Sequence, residues 1–205
     1  EKTGLFNIIM ASKVPAIIIA AGESKRLGRA KAFVEVAGKT LLQHALQKVN
    51  LSKCEPVVVV TNQENLFEVT LQSKDAIVAL NLNPKIGRTG SIQVGLKSII
   101  NDIGKVPEKV IFIPVDRPGW KANSISKLIE SESSSCLSSN GVRGHPVSLV
   151  GTDLHSILGA NEDMPLRNII SFNSVDVDES LLHLNIDTEK DVHELLQNEY
   201  FFEAL

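Results

Sequence analysis

Cysteine is nearly absent from this chain of 205 residues: Cys54 and Cys136 stand far apart and outside any Cys-x-x-Cys or Cys/His cluster. A disulfide framework and a zinc site are thereby excluded, and a reducing, cytoplasmic location is expected. Long apolar runs are absent too, since Ala16 to Ala21 and Val57 to Val60 fall far short of a bilayer span. The N-terminal residues lack the basic start and cleavage site of a signal peptide, so a soluble protein with no membrane partner is expected. Nor is there an excess of positive charge. Lys and Arg number 21 against 24 Asp and Glu, and the net charge of −3 gives no broad basic field for nucleic acid. Local basic sites for small phosphates stay open.

What the chain does have is 43% hydrophobic and 22% charged residues, enough for one domain with a sizeable core. That domain is expected over 14–205, with residues 1–13 an N-terminal extension and Met10 a possible internal start. Short β-rich apolar runs at Ala16–Ala20, Pro56–Thr61, Ile77–Leu80 and Val110–Val115 read as strands buried on both faces. Apolar residues at three- and four-residue intervals predict helices over Thr40–Val49, Ser91–Ile100, Lys121–Glu130 and Asp187–Glu194. The alternation implies an α/β fold, a three-layer sandwich with a mainly parallel central sheet of Rossmann-like character. Ligands of such sheets bind beyond the carboxyl ends of the strands, so the loops after strands carry the interest. In the serine-rich stretch 131–140, Cys136 and Leu137 suit another short strand, and Tyr200-Phe201-Phe202 reads as a docking contact or the contact of a homodimer.

The first strand runs into Ala20-Ala21-Gly22-Glu23-Ser24-Lys25-Arg26-Leu27-Gly28, with Lys31 three residues on. Small residues let the backbone approach an anion and aim N–H groups at its oxygens, while Arg26 offers a planar fork and Lys31 a point charge. The loop has neither the Gly-Lys-Ser/Thr ending of a Walker loop nor a Gly-x-Gly-x-x-Gly spacing. By itself it reads equally well as a strand-to-helix turn with solvated basic residues. A later strand ends in Asp116-Arg117-Pro118, which delivers a carboxylate to the same rim of the sheet; a plain turn-forming Asp before Pro is the bland alternative. Asp187-Thr188, ahead of an apolar helical run, reads alone as an N-cap.

Residues Ile18–Lys31 resemble the signature of the nucleotidyltransferase superfamily, Leu-Ala-Ala/Gly-Gly-x-Ser-x-Arg-Met-Gly followed by a lysine, with Ile19 and Leu27 as conservative departures. Asp116-Arg117-Pro118 resembles its Asp-x-Pro metal motif, although Arg117 stands where methionine or glutamine is commoner. Residues 185–191, Asn-Ile-Asp-Thr-Glu-Lys-Asp, resemble its late acidic stretch, and 83–96 resemble its Asn-Pro to Gly-Leu segment, with Gly90 replacing a customary serine. Ala21 and Gly144-His145-Pro146-Val147 are similar to the molybdenum cofactor cytidylyltransferase-like group of the MobA-like NTP transferases; related guanylyltransferases typically carry Ala-Gly-Gly in the loop.

The resemblance implies a nucleotidyltransferase fold and a magnesium-dependent enzyme that moves a nucleoside monophosphate, CMP from CTP, onto a small phosphorylated acceptor such as the molybdopterin cofactor. Arg26 and Lys31 would be catalytic. Ala20, Ala21, Gly22, Ser24, Gly90 and Ser91 would bind the nucleotide, Asp116 and Asp187 would hold Mg2+, and His145 and Arg167 would meet the acceptor. Ser91 reads equally as a helix N-cap, and His145 as a structural hydrogen-bonder. A guanylyltransferase, a sugar- or polyol-phosphate nucleotidyltransferase, and a nucleotide-binding regulatory protein without turnover are the alternatives.

Overall fold

The computed structural model describes residues 13–203, so the extension expected at 1–13 lies outside the described residues except for Lys13. The chain opens with β1 (Ala16–Ile19), a small hairpin β2 (Glu35–Val36) and β3 (Lys39–Thr40), α1 (Leu41–Leu51), β4 (Val57–Thr61), α2 (Leu66–Gln72) and β5 (Ile77–Leu80). It continues through α3 (Arg88–Ile103), β6 (Lys109–Pro114), α4 (Ala122–Glu130), β7 (Ser135–Ser139), β8 (Val142–Val150) and α5 (Gly151–Gly159). Strand β9 (Asn173–Asp176) and helices α6 (Glu189–Gln197) and α7 (Tyr200–Glu203) complete it.

The main sheet has seven strands in the order β5-β4-β1-β6-β8-β7-β9. Strands β5, β4, β1 and β6 are parallel, with Ile18 of β1 flanked by Val59 and Ile113. Successive residues alternate between two cores, as strand geometry requires. Ile18, Val59 and Ile113 join Leu41, Leu42 and Trp120 on one face, while Ile17, Val58 and Phe112 join Ile92, Leu96 and Ile157 on the other. That is the expected three-layer α/β sandwich. Burial of both faces holds for β1 and β4, whereas edge strand β5 is half-buried.

The far half of the sheet departs from the parallel pattern. Strand β8 runs antiparallel to both β6 and β7, and β7 pairs in parallel with β9. The cause is local: β7 and β8 are joined by Asn140-Gly141 alone, with φ of 51° and 78°, the backbone that a two-residue hairpin turn requires. The strand expected around Cys136 and Leu137 is therefore the first arm of a hairpin.

Helix boundaries follow their caps. Thr40 accepts from the N–H of Gln43 while the Gln43 side chain accepts from the N–H of Thr40, which starts α1. Helix α3 begins three residues earlier than the sequence pattern indicates, at Arg88 after Gly87, so Ser91 is an interior helical residue and no N-cap. Phe201 and Phe202 dock onto the chain's own core, leaving Tyr200 exposed. Among the described residues no helix is long and apolar enough to cross a membrane.

Candidate active site

Chain order reverses between β1 and β6, because β1 leads outward to β4 and β5 before β6 returns to its other side. A crevice is expected at the carboxyl ends of such a pair, and both sequence motifs leave from there. Residues 20–31 follow β1 and Asp116 follows β6. They line a cavity of ≈ 310 Å³ whose wall includes Ala20, Ala21, Gly22, Ser24, Arg26, Lys31, Ser91, Asp116 and Asp187, a size that accommodates a small-molecule ligand.

The glycine loop is held by its own serine. Ser24 sits at φ 50°, its carbonyl accepts from the N–H groups of Leu27 and Gly28 (3.0 Å each), and its Oγ accepts from the N–H of Lys31 at 3.0 Å. Ser24 thus closes the loop and fixes where Lys31 leaves it. At the loop's start, Ala21 is 1% exposed and its carbonyl accepts from Asn62 Nδ2 at 3.1 Å. Glu23 pairs with Lys25 at 3.0 Å and with Lys85 at 3.4 Å, linking the loop to residues 83–87 across the cavity mouth.

Lys31 and Asp116, 85 positions apart in sequence, meet with Nζ 3.0 Å from Oδ2. The same ammonium contacts Asp187 Oδ1, and Arg26 Nη2 lies 2.9 Å from Asp187 Oδ2. Asp187 arrives there because the N–H of Ile186 donates to the carbonyl of Asp116 at 2.9 Å. The helix after it is capped by other atoms: the Asp191 carboxylate accepts from the N–H of Thr188 (2.7 Å) and of Asp187 (2.9 Å). Capping therefore leaves the Asp187 side chain to face the cavity. Burial works to raise its pKa, but the hydrogen bond and charge of Lys31, with Arg26 and Asn185, outweigh it, and the carboxyl titrates below its ordinary value.

Three expected site residues are placed differently. Gly90 does not line the cavity: its N–H donates to the Glu162 carbonyl at 3.1 Å, and an added Cβ would lie 3.2 Å from Glu162 Cβ, so its smallness serves packing of that segment on α3. Arg167 is exposed on a single turn, Leu166–Asn168, and is absent from the cavity wall. His145 also lies outside that wall, on β8, with its ring edge-on to Phe112 at 6.1 Å. Burial, followed by the charges of Arg88 and Arg117, drives its pKa down to about 3, so it is neutral at physiological pH. Ser91 does line the cavity, with its Oγ accepting from Asn81 Nδ2 at 2.9 Å.

Sequence reading missed Arg88, which lines the cavity from the first turn of α3, and Lys48, which is 1% exposed and donates to the Pro118 carbonyl at 2.9 Å. A signal for Lys48 existed, since it continues the apolar stripe Leu41, Leu42, Ala45, Val49 of α1. Arg117 was noted only as a departure from a motif, yet its guanidinium is half-buried, and desolvation lowers its pKa.

This arrangement offers amides and two cations on one side of a pair of adjacent carboxylates. Comparison with known proteins gives it a family. The profile of the MobA-like NTP transferase domain matches residues 16–177, a span that contains β1 through β9 with the glycine loop and Asp116. The molybdenum cofactor guanylyltransferase of Histophilus somni strain 2336 is 28% identical over 204 residues, covering 93% of this chain and 100% of that protein. The structure of Rv0371c from Mycobacterium tuberculosis H37Rv superposes with a TM-score of 0.79 at 16% identity, over 93% of this chain and 100% of the other. That protein's complex with manganese superposes with a TM-score of 0.73 at 14% identity, over 91% of this chain and 100% of the other. With a matching profile over most of its length and the loop and strand-end aspartate meeting at the switch point of the sheet, the chain belongs to the MobA-like NTP transferase family of nucleotidyltransferases.

Proposed function

We propose that this protein transfers a nucleoside monophosphate from a nucleoside triphosphate onto a small phosphorylated acceptor of the molybdopterin type, releasing pyrophosphate. The observation that carries the reading is the meeting of Lys31 with both Asp116 and Asp187 at the mouth of the glycine loop. An acceptor phosphate oxygen attacks the α-phosphorus; the new P–O bond forms as the bond to the β-phosphate oxygen breaks, and that electron pair leaves with pyrophosphate. The acceptor is already anionic, so no protein nucleophile or base is required, and the work is alignment and charge neutralisation. Loop amides from Gly22 onward, Arg26 and Lys31 hold the departing phosphates.

Asp116 and Asp187 suit a magnesium ion. Their oxygens are hard donors, and one ammonium already touches both, so a single cation can address the pair. No group of three or more His, Cys, Asp or Glu residues is gathered for a metal among the described residues, which matches an ion that takes its other ligands from phosphate and water. Bound there, magnesium would polarise the α-phosphoryl oxygens. The manganese complex of the mycobacterial relative supports the same choice of ion class.

The nucleobase we assign is cytosine. Ala21 supports it, because an Ala-Ala-Gly loop is similar to that of the cytidylyltransferase-like group, whereas related guanylyltransferases typically carry Ala-Gly-Gly. A second reading, GTP, is favoured by the full-length relative, a molybdenum cofactor guanylyltransferase. Thermal shift with each of four triphosphates and magnesium separates the two, because only a binder of the native state raises Tm. Pyrophosphate release over a panel of phosphorylated acceptors then tests the transfer, and its absence with every acceptor refutes the reading.

A further inference from the structure

Helix α1 lays an apolar stripe, Leu41, Leu42, Ala45 and Val49, against the sheet, and Lys48 stands buried in the same stripe. Among the described residues no carboxylate lies within ion-pair distance of its ammonium; Glu179 pairs with Lys121 instead, at 3.6 Å. A methionine would fill the position without taking a charge out of water. What lysine adds there is a donor, and its Nζ donates to the Pro118 carbonyl at 2.9 Å. The Trp120 and Phe202 ring centres, each 5.0 Å from Nζ, and that of Phe201 at 5.6 Å keep the ammonium aimed at that carbonyl.

The carbonyl belongs to the turn that starts at Asp116. Within the turn the N–H of Arg117 donates to the Pro114 carbonyl at 3.2 Å, and the Pro118 carbonyl also accepts from the N–H of Trp120 at 3.0 Å. On the side of α1, Pro114, Val115, Arg117 and Pro118 share with Lys48 and Trp120 the wall of a cavity of ≈ 10 Å³. Close packing therefore does not press the turn into place on this side, and a polar tie has to do so. His44, one turn back on α1, is engaged with the Val36 carbonyl at 2.8 Å. Among the described residues Lys48 is the one side chain of α1 that donates to the turn. The turn's other face meets the second acidic segment, where the Asp116 carbonyl accepts from the N–H of Ile186, the neighbour of Asp187. A turn that slips on α1 therefore moves Asp116 against Asp187.

We propose that Lys48 is a positioning residue for the metal site: its bond to Pro118 fixes the 116–118 turn against α1 and so sets the spacing of the Asp116 and Asp187 carboxylates. The consequence for a metal ion rests on the reading of those aspartates as its ligands; the hold on the turn does not.

The test compares the full chain at pH 7 with Lys48→Met, which keeps an apolar stem, and Lys48→Arg, which keeps a donor. Amide hydrogen exchange is read at Ile186 and Trp120, whose N–H groups bond the Asp116 and Pro118 carbonyls, against the amides of β4. General destabilisation would quicken all of them together, whereas loss of the tie is expected to quicken Ile186 and Trp120 at least about tenfold over β4 in Lys48→Met and less in Lys48→Arg. In isothermal titration without nucleotide, Mn2+ is expected to bind Lys48→Met at least about fivefold more weakly than the parent, with Lys48→Arg in between. Exchange at the two amides that only follows β4, equal effects of the two substitutions, or an altered exchange with unchanged Mn2+ affinity each overturns the positioning role. Should Lys48→Met fail to fold, Mg2+ is titrated into the parent and followed by NMR at the Lys48 side-chain nitrogen. A shift is expected because coupling between two sites is reciprocal, and silence there while Mn2+ binds overturns the proposal. A parent that binds no Mn2+, with exchange at Ile186 still dependent on Lys48, removes the metal reading and keeps the hold on the turn.

Discussion

The N–H of Ile186 donates to the carbonyl of Asp116 at 2.9 Å, and this one backbone bond sets two distant acidic segments side by side. Just beyond it, Gly119 lies so close to Leu181 that a Cβ would fall 1.8 Å from the Leu181 carbonyl oxygen. The contact is with backbone, which cannot swing aside as a flexible side chain can. Gly119→Ala must therefore push residues 181–187 away from 116–119. The expected cost is at the upper end of the ~1–3 kcal/mol typical of overpacking, with loss of pyrophosphate release in the fraction that folds. A melting temperature and activity equal to the parent's would show that the two segments tolerate separation.

Lys31 neutralises both carboxylates in this arrangement, so under the proposed function it and a metal ion would compete for the same oxygens. Lys31→Ala removes the competitor and the phosphate contact together. Turnover is expected to fall by at least ~3 kcal/mol of transition-state stabilisation, while Mn2+ alone should bind more tightly than to the parent. Isothermal titration with Mn2+ and a pyrophosphate-release assay read the two effects separately. Tighter metal binding with undiminished turnover would remove Lys31 from catalysis.

Asp116→Asn keeps the shape of the side chain and removes a hard anionic donor. The metal concentration needed for half-maximal activity is expected to rise at least tenfold, with Tm near the parent's because Lys31 retains Asp187. Superimposable magnesium titrations for mutant and parent would show that Asp116 does not serve the ion.

Much of this site is legible in the chain because its parts are local. A strand, a small-residue loop and a lysine occupy one contiguous stretch, and a second apolar run ends in Asp116. What sequence cannot supply is register across the molecule. Gly90 looks like a ligand contact until Glu162 is seen to take its N–H, and Arg167 looks near the acceptor until its turn is seen at the surface. The antiparallel β8 was signalled by Asn140-Gly141, but the pattern of apolar runs hides a hairpin inside a serine-rich stretch. Arg88 and Asp116 come from separate elements, and only the position of α3 against the sheet brings them to one cavity.

Lys48 ties the fold's stability to pH through the same rim of the sheet. Its Nζ lies 5.0 Å from the Trp120 and Phe202 ring centres and 5.6 Å from that of Phe201, and donates to the Pro118 carbonyl at 2.9 Å. Burial lowers its pKa to about 7 against the attraction of Glu179. The other charged or titratable groups around it are His44, one turn back on α1, and Lys121, which sits over the Phe201 ring and 3.6 Å from Glu179 Oε2. An unfolded lysine keeps its proton to about pH 10.4, so from about pH 7 upward the unfolded chain binds more protons than the native one. Stability must then rise with pH across that window. Lys48→Met deletes the contribution, and the stability of the parent minus that of Lys48→Met is expected to climb by an amount on the order of 4 kcal/mol between pH 7 and 10. Urea unfolding of both proteins at several pH values measures it. Parallel pH profiles would mean that Lys48 folds with its proton in place, and that the aromatic box and the Pro118 carbonyl suffice to hold a buried charge.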